Sequence, residues 1–255
     1  MRLATYNIKH GESSDRRVDT ARLRDAVASL DADVVCLQEV DRGQPRSHGA
    51  DQAAEIADAV GAAAYRFAPA LTGVLGESVR PSTATDLDGT GPGYGVALVS
   101  RWPVLSWHTY RLPLMPGPGI HRTGGWVVPP DEQRVVLVGV VSTPDGPVTV
   151  ATTHLSLVPA WHSLQLWLAL RRVGLPGPRL LTGDFNLRPV SVRPVAALAG
   201  RRSLARARTF PAQAPNRQID HVLADRRIPV TGVEAPELPV SDHRPLVVDL
   251  RTVSP

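Results

Sequence analysis

Cysteine is almost absent from the 255-residue sequence, in which Cys36 stands alone. A single cysteine excludes a disulfide bond within the chain and gives no support to a zinc site built on thiolates. Cys36 lies in the apolar run 34–37, which predicts a buried and chemically inert thiol. Disulfide bonds therefore place no constraint on the redox state of the compartment.

Long apolar segments are also lacking. No window approaches the roughly 18 uninterrupted apolar residues of a membrane-spanning helix. The first ten residues contain no apolar segment of the kind found in signal peptides. We therefore expect no membrane span, a cytoplasmic location and a monomeric protein.

Lysine is rare as well, since Lys9 is the only one in the chain. The 28 Lys and Arg residues against 24 Asp and Glu residues give a formal net charge of +4. Nearly all of the positive charge is guanidinium, which favours two-pronged contacts with phosphate or carboxylate groups. Compositional bias of the genome is the alternative explanation, and the excess is too small to indicate a nucleic-acid partner by itself.

The composition is that of a globular protein with many short elements. Apolar residues make up 43% and charged residues 20%, which excludes wholesale disorder. The 21 glycines and 24 prolines interrupt the chain too often for a helical bundle. Apolar runs predict strands at 2–8, 33–40, 94–100, 135–141, 149–153, 179–182, 219–223 and 246–250. Helical spacing predicts a first helix that follows an N-cap at Asp15, and further helices at 51–60, 160–173 and 192–198. No repeat or long linker separates them, so we predict one α/β domain over residues 1–255.

Polar residues follow or adjoin six of the predicted strands. In a layered sheet these side chains converge at one end of the strands. Two carboxylates about 4 Å apart repel by roughly 4 kcal/mol at an effective dielectric constant of about 20, so a pocket with several acids needs protons, arginines or a cation. The six groups are Asn7, Gln38-Glu39, Thr153-His154, Gly183-Asp184-Phe185-Asn186, Ile219-Asp220-His221 and Ser241-Asp242-His243.

The oxygen donors in these groups favour a hard divalent cation. Asn7, Glu39 and Asp242 are the predicted metal ligands, and Mg²⁺ or Mn²⁺ suits such a set better than zinc. These ions bind one or two carboxylates together with waters and substrate phosphate. The predicted substrate therefore carries phosphate.

Each polar group also has a structural explanation when it is taken alone. Asn7 and the Asp184–Asn186 segment suit turns, Glu39 suits an ion pair with arginine, and His154 and His243 suit hydrogen-bonded structural positions. Local structure does not explain why six strand ends all carry acid, amide or imidazole groups. We therefore interpret the set as one active site.

Seven motifs occur in a fixed order along essentially the whole chain: Thr5-Tyr6-Asn7-Ile8, Leu37-Gln38-Glu39-Val40, the strand from Gly93-Tyr94-Gly95 to Arg101, Thr153-His154-Leu155, Gly183-Asp184-Phe185-Asn186, Ile219-Asp220-His221-Val222 and Ser241-Asp242-His243-Arg244-Pro245-Leu246. In this order they resemble the endonuclease/exonuclease/phosphatase superfamily. The resemblance implies a four-layered α/β sandwich, with two mixed β-sheets packed face to face and helices outside. It also implies a phosphoester hydrolase that uses a divalent metal.

The resemblance implies a role for each catalytic residue. Asp184 and Asn186 would position and deprotonate the attacking water. Asp220 would orient His243, while His154 and His243 would donate to the non-bridging phosphate oxygens, where charge builds in the transition state. A partner acid such as Asp220 is needed to keep a histidine charged at neutral pH.

The same resemblance assigns the metal to Glu39 with Asn7 nearby, and Asp242 is a further ligand or a supporting acid. Substrate contacts are expected at Tyr94 and Arg122. Arg122 resembles an arginine that follows Glu-Pro in relatives, whereas here it follows His121, so a structural or solvated role is the alternative.

The sequence departs from the superfamily pattern at Val96. Many relatives carry there an Asn, or a carboxylate that supports the first active-site histidine. No orienting partner is therefore assigned to His154.

A phosphodiesterase, in particular a nuclease, is the function that the sequence favours. The basic run at 201–208 is a candidate surface for flanking nucleic-acid phosphates, with a solvated helix end as the alternative. Beyond Arg122, no cluster of cations adjoins the motifs, which favours a singly charged diester over a nearly dianionic monoester. The other hypotheses are a phosphomonoesterase or lipid phosphodiesterase of the same superfamily, and a catalytically silent phosphate-binding module.

Overall fold

Two mixed β-sheets lie at the centre of the computed structural model, which describes residues 1–115, 121–122, 126–127, 131–175, 177–225 and 228–251, without the side chains of 88, 121, 122, 126 and 127. Strands are numbered in chain order. The first sheet contains β1 (Arg2–Asn7), β2 (Val34–Arg42), β3 (Ala64–Thr72), β4 (Arg80–Pro81), β5 (Gly93–Ser100), β14 (Val230–Glu234) and β15 (Leu246–Leu250). The second contains β6 (Val104–Arg111), β9 (Val135–Thr143), β10 (Gly146–His154), β11 (Arg179–Asp184), β12 (Arg202–Ser203) and β13 (Asp220–Ala224). A separate ribbon pairs β7 (His121–Arg122) with β8 (Trp126–Val127).

Four α-helices accompany the sheets in the described part of the chain: α1 (Thr20–Ala28), α2 (Gln52–Ala59), α3 (Trp161–Arg172) and α4 (Pro189–Leu198). Short 3-10 helices lie at Lys9–Gly11, Pro45–Ser47 and Ala84–Asp88. None of the described helices combines the length and the apolarity needed to cross a membrane.

Acidic side chains cap the first two helices. Asp19 caps α1, because its carboxylate accepts a hydrogen bond from the backbone N–H of Arg22 at 2.9 Å. The prediction of Asp15 as this cap is wrong: its carboxylate accepts instead from the backbone N–H of Arg17 in an exposed turn that precedes the helix. Asp51 caps α2 in the same way, at the start of the predicted helical segment.

Apolar side chains form three clusters that separate four layers. The central cluster joins the two sheets and includes Cys36 and Leu137. A second cluster, which includes Ile56, packs the first sheet against α1 and α2. A third cluster, which includes Leu166, packs the second sheet against α3 and α4. The predicted four-layered α/β sandwich is confirmed. Cys36 is fully buried, as predicted, and burial raises the pKa of its thiol to about 12.

The strand order brings the polar strand ends to one edge of the sandwich. The first sheet runs β14-β15-β1-β2-β5-β3-β4 and the second runs β12-β13-β11-β10-β9-β6. In each sheet two central strands are parallel, β1 with β2 and β10 with β11, so their carboxyl ends lie side by side. β13 is antiparallel to β11 and therefore begins where β11 ends.

Several strands carry too little apolar signal to be predicted from the sequence. β6 and β14 are edge strands whose residues are only half-buried or exposed, so they lack a continuous apolar run. β3 lies next to the edge, and its first three residues are exposed or half-buried. The strands predicted from the sequence are therefore the central ones, and strands at or near the sheet edges are not predicted.

Candidate active site

The first sheet contributes Asn7 and Glu39. Asn7 lies opposite Gln38 in the parallel pair of β1 and β2. The register of β2 with β5 shifts between Gln38 and Val40, and Glu39 is the extra residue of this β-bulge, with φ at +56°. The bulge takes Glu39 out of the alternation of inner and outer side chains. Asn7 Nδ2 donates to Glu39 Oε1 at 2.9 Å.

The second sheet contributes His154, Asp184 and Asn186. β10 and β11 are parallel and place His154 opposite Asp184. Gly183 allows the two strands to close here, because its φ is +137° and a Cβ would lie 1.9 Å from the Thr153 carbonyl oxygen. Asn186 also has a positive φ, and its Nδ2 lies 3.2 Å from His154 Nε2.

Asp184 is the point where the two sheets meet in the site. Its Oδ2 accepts a hydrogen bond from Asn7 Nδ2 at 3.1 Å, and its Oδ1 accepts from the backbone N–H of Asn186 at 2.9 Å. The Nε2 atoms of His154 and His243 lie 3.6 and 3.7 Å from the same Oδ2. One buried carboxylate therefore contacts an amide, a backbone N–H and two imidazoles.

His243 belongs to a buried chain of hydrogen bonds. Its Nδ1 donates to Asp220 Oδ2 at 3.0 Å, and Thr209 Oγ1 donates to the same oxygen at 2.5 Å. Asp220 lies opposite Asp184 in the pairing of β11 with β13. The other Asp220 oxygen is buried without a hydrogen-bond partner among the described residues. Asp220 thus fixes the ring of His243 and directs Nε2 toward Asp184.

Burial and charge separate the protonation states of the site. Burial lowers the pKa of His243, but the carboxylates of Asp220 and Asp184 outweigh it and raise the pKa to about 10. Burial, followed by the charges of Arg134 and His243, holds the pKa of His154 well below its usual value. Burial also raises the pKa of Asp184 to about 7, although His243 opposes the shift. At neutral pH the site therefore holds one charged and one neutral imidazole.

The remaining predicted site residues occupy different positions. Asp242 lies toward the surface, with 41% of its side chain exposed, and its Oδ2 is 3.5 Å from Lys9 Nζ. No described contact joins it to Asn7 or Glu39. Burial and then the nearby Glu39 carboxylate raise the pKa of Tyr94, so its phenol is a protonated donor beside the site. The side chain of Arg122 lies outside the described residues.

Two arginines that no sequence motif marks adjoin the site. Arg134 is buried, its Nη2 lies 3.4 Å from Glu132 Oε2, and its Nε has no hydrogen-bond partner in the described part of the chain. Arg46 forms a two-pronged contact with Asp41 and covers the ring of Tyr94 at 5.2 Å. Neither arginine follows a motif, so only the fold could reveal them.

Other residues of the motifs are structural. Gln38 Nε2 donates to Thr5 Oγ1 at 3.1 Å and to Thr152 Oγ1 at 2.9 Å, which links the two sheets. Val96 is buried in the central cluster. His154 therefore finds its polar neighbours in Asn186 and Asp184 rather than on β5.

The basic run at 201–208 does not form one surface. Arg201 is largely buried, where its Nη1 lies 3.0 Å from Asp225 Oδ2. Arg202 Nη2 donates to the carbonyl oxygen of Ile228. Arg201, Arg202 and the exposed Arg206 line one cavity, whereas the exposed Arg208 lines another. The four arginines of the run therefore do not form one common surface for a polyanion.

The donor set at the sheet junction fits a hard cation. Asn7 Nδ2 holds the Glu39 and Asp184 carboxylates together, while Asn7 Oδ1 accepts from the backbone N–H of Lys9 at 3.1 Å. Two carboxylates therefore converge here, and the raised pKa of Asp184 reflects a buried carboxylate without enough compensating charge. A second group, Asp184, Asp220 and His243, has its ligand atoms within 4.8 Å of one another. In that group, however, the His243 Nδ1 already donates to Asp220. Asn7, Glu39 and Asp184 are therefore the better candidates for holding a metal.

One protein-family model matches nearly the whole chain. The model of the endonuclease/exonuclease/phosphatase family matches residues 4–243. That range includes all of the polar strand ends described above. A comparison with curated proteins gave no match.

Solved structures share the fold at low sequence identity. An endonuclease/exonuclease/phosphatase from Beutenbergia cavernae DSM 12333 has a TM-score of 0.72 and 24% identity, over 98% of this chain and 71% of that one. The mannosyl-6-phosphatase Bt3783 of Bacteroides thetaiotaomicron VPI-5482 has a TM-score of 0.66 and 16% identity, over 99% and 100% of the two chains. The human Nocturnin catalytic domain, solved with a bound sulfate anion, has a TM-score of 0.64 and 17% identity, over 98% and 94%.

Proposed function

This chain belongs to the endonuclease/exonuclease/phosphatase family, and we propose that it is a divalent-metal-dependent phosphodiesterase of nuclease type, formed by residues 1–255 as one domain. The observation that carries the proposal is the position of Asp184. This buried carboxylate lies between the Asn7–Glu39 pair of one sheet and the His243–Asp220 pair of the other. A pocket of this kind combines a water-activating acid with groups that stabilise a negatively charged phosphorus centre.

Glu39 and Asn7, together with Asp184, would hold Mg²⁺ or Mn²⁺. The bound ion would neutralise the carboxylates and polarise a phosphoryl oxygen. Asp242 would act from the rim as a supporting acid, since its closest described partner is Lys9. This assignment keeps two of the three predicted ligands and adds Asp184.

Asp184 and Asn186 would position and deprotonate the attacking water. Burial raises the pKa of Asp184 to about 7 in the metal-free site. A bound cation would favour the ionised carboxylate, which is the form that accepts the proton from water. The water oxygen forms a bond to phosphorus, its proton passes to Asp184, and the bond from phosphorus to the leaving oxygen breaks. His243, held charged by Asp220, would donate to a non-bridging oxygen, and neutral His154 would supply a second, uncharged donor.

A phosphomonoesterase is the second candidate, and Arg134 is the observation that favours it. The sequence favours a diester because few cations adjoin the motifs. In the structure, however, Arg134 lies close enough to His154 for its charge, after burial, to lower the pKa of that histidine. Arg46 adds little, because Asp41 neutralises it through two hydrogen bonds. One metal, His243 and Arg134 are more than a singly charged diester requires.

Kinetics on matched aryl mono- and diesters tests both candidates. We expect turnover only with Mg²⁺ or Mn²⁺, complete loss in chelator, and a higher kcat/KM on the diester. Arg134→Gln should lower kcat/KM on the monoester more than on the diester. A higher kcat/KM on the monoester would assign the second function, and full turnover of either ester after exhaustive chelation would exclude the metal-dependent mechanism.

A further inference from the structure

A cavity of about 650 Å³ lies beside the proposed active site and is lined by Arg188, Pro189, Arg208, Asn216, Arg217 and Gln218. We call it the arginine groove. Its three guanidinium groups come from three separate segments of the chain. None of the described residues that line it is acidic.

Each arginine is anchored next to a catalytic motif. Arg188 follows the Gly-Asp-Phe-Asn motif by two residues and caps α4. Arg208 precedes Thr209, whose hydroxyl donates to Asp220. Arg217 pairs with Phe210 across an isolated β-bridge, and the two backbones exchange hydrogen bonds of 3.0 and 3.1 Å.

Phe210 connects the groove to His243. Its ring packs on the imidazole of His243 with 4.8 Å between the centroids, and the guanidinium of Arg217 lies 4.6 Å from the centre of the same ring. A single aromatic ring thus separates the Arg217 charge from the His243 imidazole. The Arg217 side of the groove therefore lies one aromatic ring away from His243.

The three guanidinium groups are available for a ligand. Arg188, Arg208 and Arg217 are exposed, and within the described residues none of them forms an ion pair or a side-chain hydrogen bond. Arg46, by contrast, has such a partner in Asp41. Three unpaired guanidinium groups around one cavity repel one another, and an anion with several oxygens relieves that repulsion through two-pronged contacts.

We propose that the arginine groove binds a second phosphate group of the substrate, next to the phosphate that is hydrolysed. This inference rests on the proposed function. It names the substrate class as phosphoesters with at least two phosphates. A nucleic-acid strand and a small polyphosphorylated molecule both offer this chemistry.

Binding to the full-length protein in EDTA, where no turnover is expected, tests the groove separately from catalysis. The probe is a fluorescently labelled single-stranded decanucleotide, measured by anisotropy over a range of salt concentrations, with inorganic pyrophosphate as competitor. We expect Arg208→Gln/Arg217→Gln to weaken binding at least about tenfold and to flatten its dependence on salt. Arg206→Gln is the matched control, because Arg206 is an exposed arginine of the same segment that lines a different cavity, and its affinity should stay within about twofold.

The competitor distinguishes the two sources of phosphate. Displacement of the decanucleotide by micromolar pyrophosphate would indicate a small polyphosphorylated ligand, and resistance to it would indicate a nucleic-acid strand. Either result supports a phosphate-binding groove, provided that the double variant loses the affinity. Equal affinity of the double variant and wild type would overturn the inference.

Turnover in Mg²⁺ completes the test. The double variant should lose at least about tenfold more kcat/KM on a trinucleotide than on an aryl diester that lacks a second phosphate. Equal losses on both substrates would overturn the groove while leaving the hydrolase intact. Groove-dependent binding without hydrolysis of any phosphoester would overturn the proposed function and leave the groove as a binding site.

Discussion

His243 is a buried imidazole that two carboxylates keep charged. Asp220 lies at Nδ1 and Asp184 at Nε2, and together they outweigh the effect of burial on its pKa. The N–H group at His243 Nε2 therefore points in a fixed direction, toward the position where the reacting phosphate would bind. Preorganised charge of this kind costs no reorganisation during the reaction.

We expect His243→Ala to lower kcat at least about a hundredfold, because one preorganised donor is lost. Asp220→Asn should also be damaging, since it removes the carboxylate that holds the ring and its charge. Steady-state kinetics with Mg²⁺ gives the first result, and an NMR titration of His243 in Asp220→Asn should show a lower pKa. His108→Gln, on edge strand β6, is the control. A near-normal kcat for His243→Ala would remove His243 from the reaction.

Asp184 should make the stability of the chelated protein depend on pH. Its folded pKa is raised from the ordinary 3.8 to about 7, so the folded state binds the proton more tightly than the unfolded state. The stability gained from the proton is fully present below pH 3.8 and is lost as pH rises through 7. The free energy of unfolding in EDTA should therefore fall between pH 4.5 and 7.5.

Asp184→Asn should remove most of that fall, because an amide has no proton to lose over this range. Urea denaturation of both proteins at several pH values measures the difference. His243 contributes a fall of the same sign above pH 6.5, so the comparison is most informative below that pH. Parallel pH profiles for the two proteins would contradict the raised pKa of Asp184.

The identities of the central residues could be predicted from the sequence, whereas their neighbours could not. Apolar strands precede Asn7, Glu39 and Asp184, which marks them in the sequence. The order of the motifs also suggests that Asp220 orients His243, and the two side chains are hydrogen-bonded in the structure. Arg134 and Thr209 carry no local signal, because what makes them part of the site is a contact across the fold.

At the scale of the elements, Gly183 controls how closely β10 and β11 approach. Its φ of +137° is unfavourable for any residue with a Cβ, and the added atom would meet the backbone oxygen of Thr153 rather than a movable side chain. The parallel pairing at this point also places His154 opposite Asp184. Gly183 therefore determines both the close approach of β10 and β11 and the placement of His154 opposite Asp184.

Gly183→Ala should lower the free energy of unfolding by at least about 2 kcal/mol, because the strained backbone and the clash cannot both relax. Activity should fall with it, since Asp184 is the next residue. Gly174→Ala is a suitable control: no atom lies within 4 Å of its added Cβ. Urea denaturation that shows equal stability for the two variants would mean that the strands separate at little cost.

The predicted elements are those with a continuous apolar signal. Strands buried on both faces, such as β2, β9 and β11, were found close to their true bounds. β6 and β14 were missed because an edge strand needs few apolar residues. The N-cap of α1 was misplaced because Asp15 and Asp19 carry the same local signal, and only the hydrogen bond to Arg22 distinguishes them.

At the scale of the whole molecule, the site lies across the junction of the two sheets. Asn7 and Glu39 belong to one sheet, while His154 and Asp184 belong to the other, and Gln38 adds a second hydrogen-bonded link to Thr152. A ligand bound by both halves therefore stabilises the packing of the sheets.

We expect Mg²⁺ to raise the free energy of unfolding, by about 2.7 kcal/mol at a concentration one hundred times its dissociation constant. Glu39→Gln should abolish most of this gain, whereas Glu77→Gln, an exposed acid outside the site, should keep it. Thermal unfolding with and without Mg²⁺ measures both. An equal Mg²⁺ effect in Glu39→Gln and wild type would place the metal elsewhere.

The bulge at Glu39 also determines which changes this strand can accept over evolutionary time. Val35, Leu37 and Val40 face the helices, while Cys36 and Gln38 face the other sheet, so the one extra residue reverses the parity of every position after it. Substitution of one apolar residue by another leaves that parity intact. Deletion of the Glu39 codon would restore regular alternation, with Val40 still facing the helices, and would remove the acid from the site. Among related sequences, the apolar residues of β2 should therefore vary in identity, while the number of residues in the strand should stay constant.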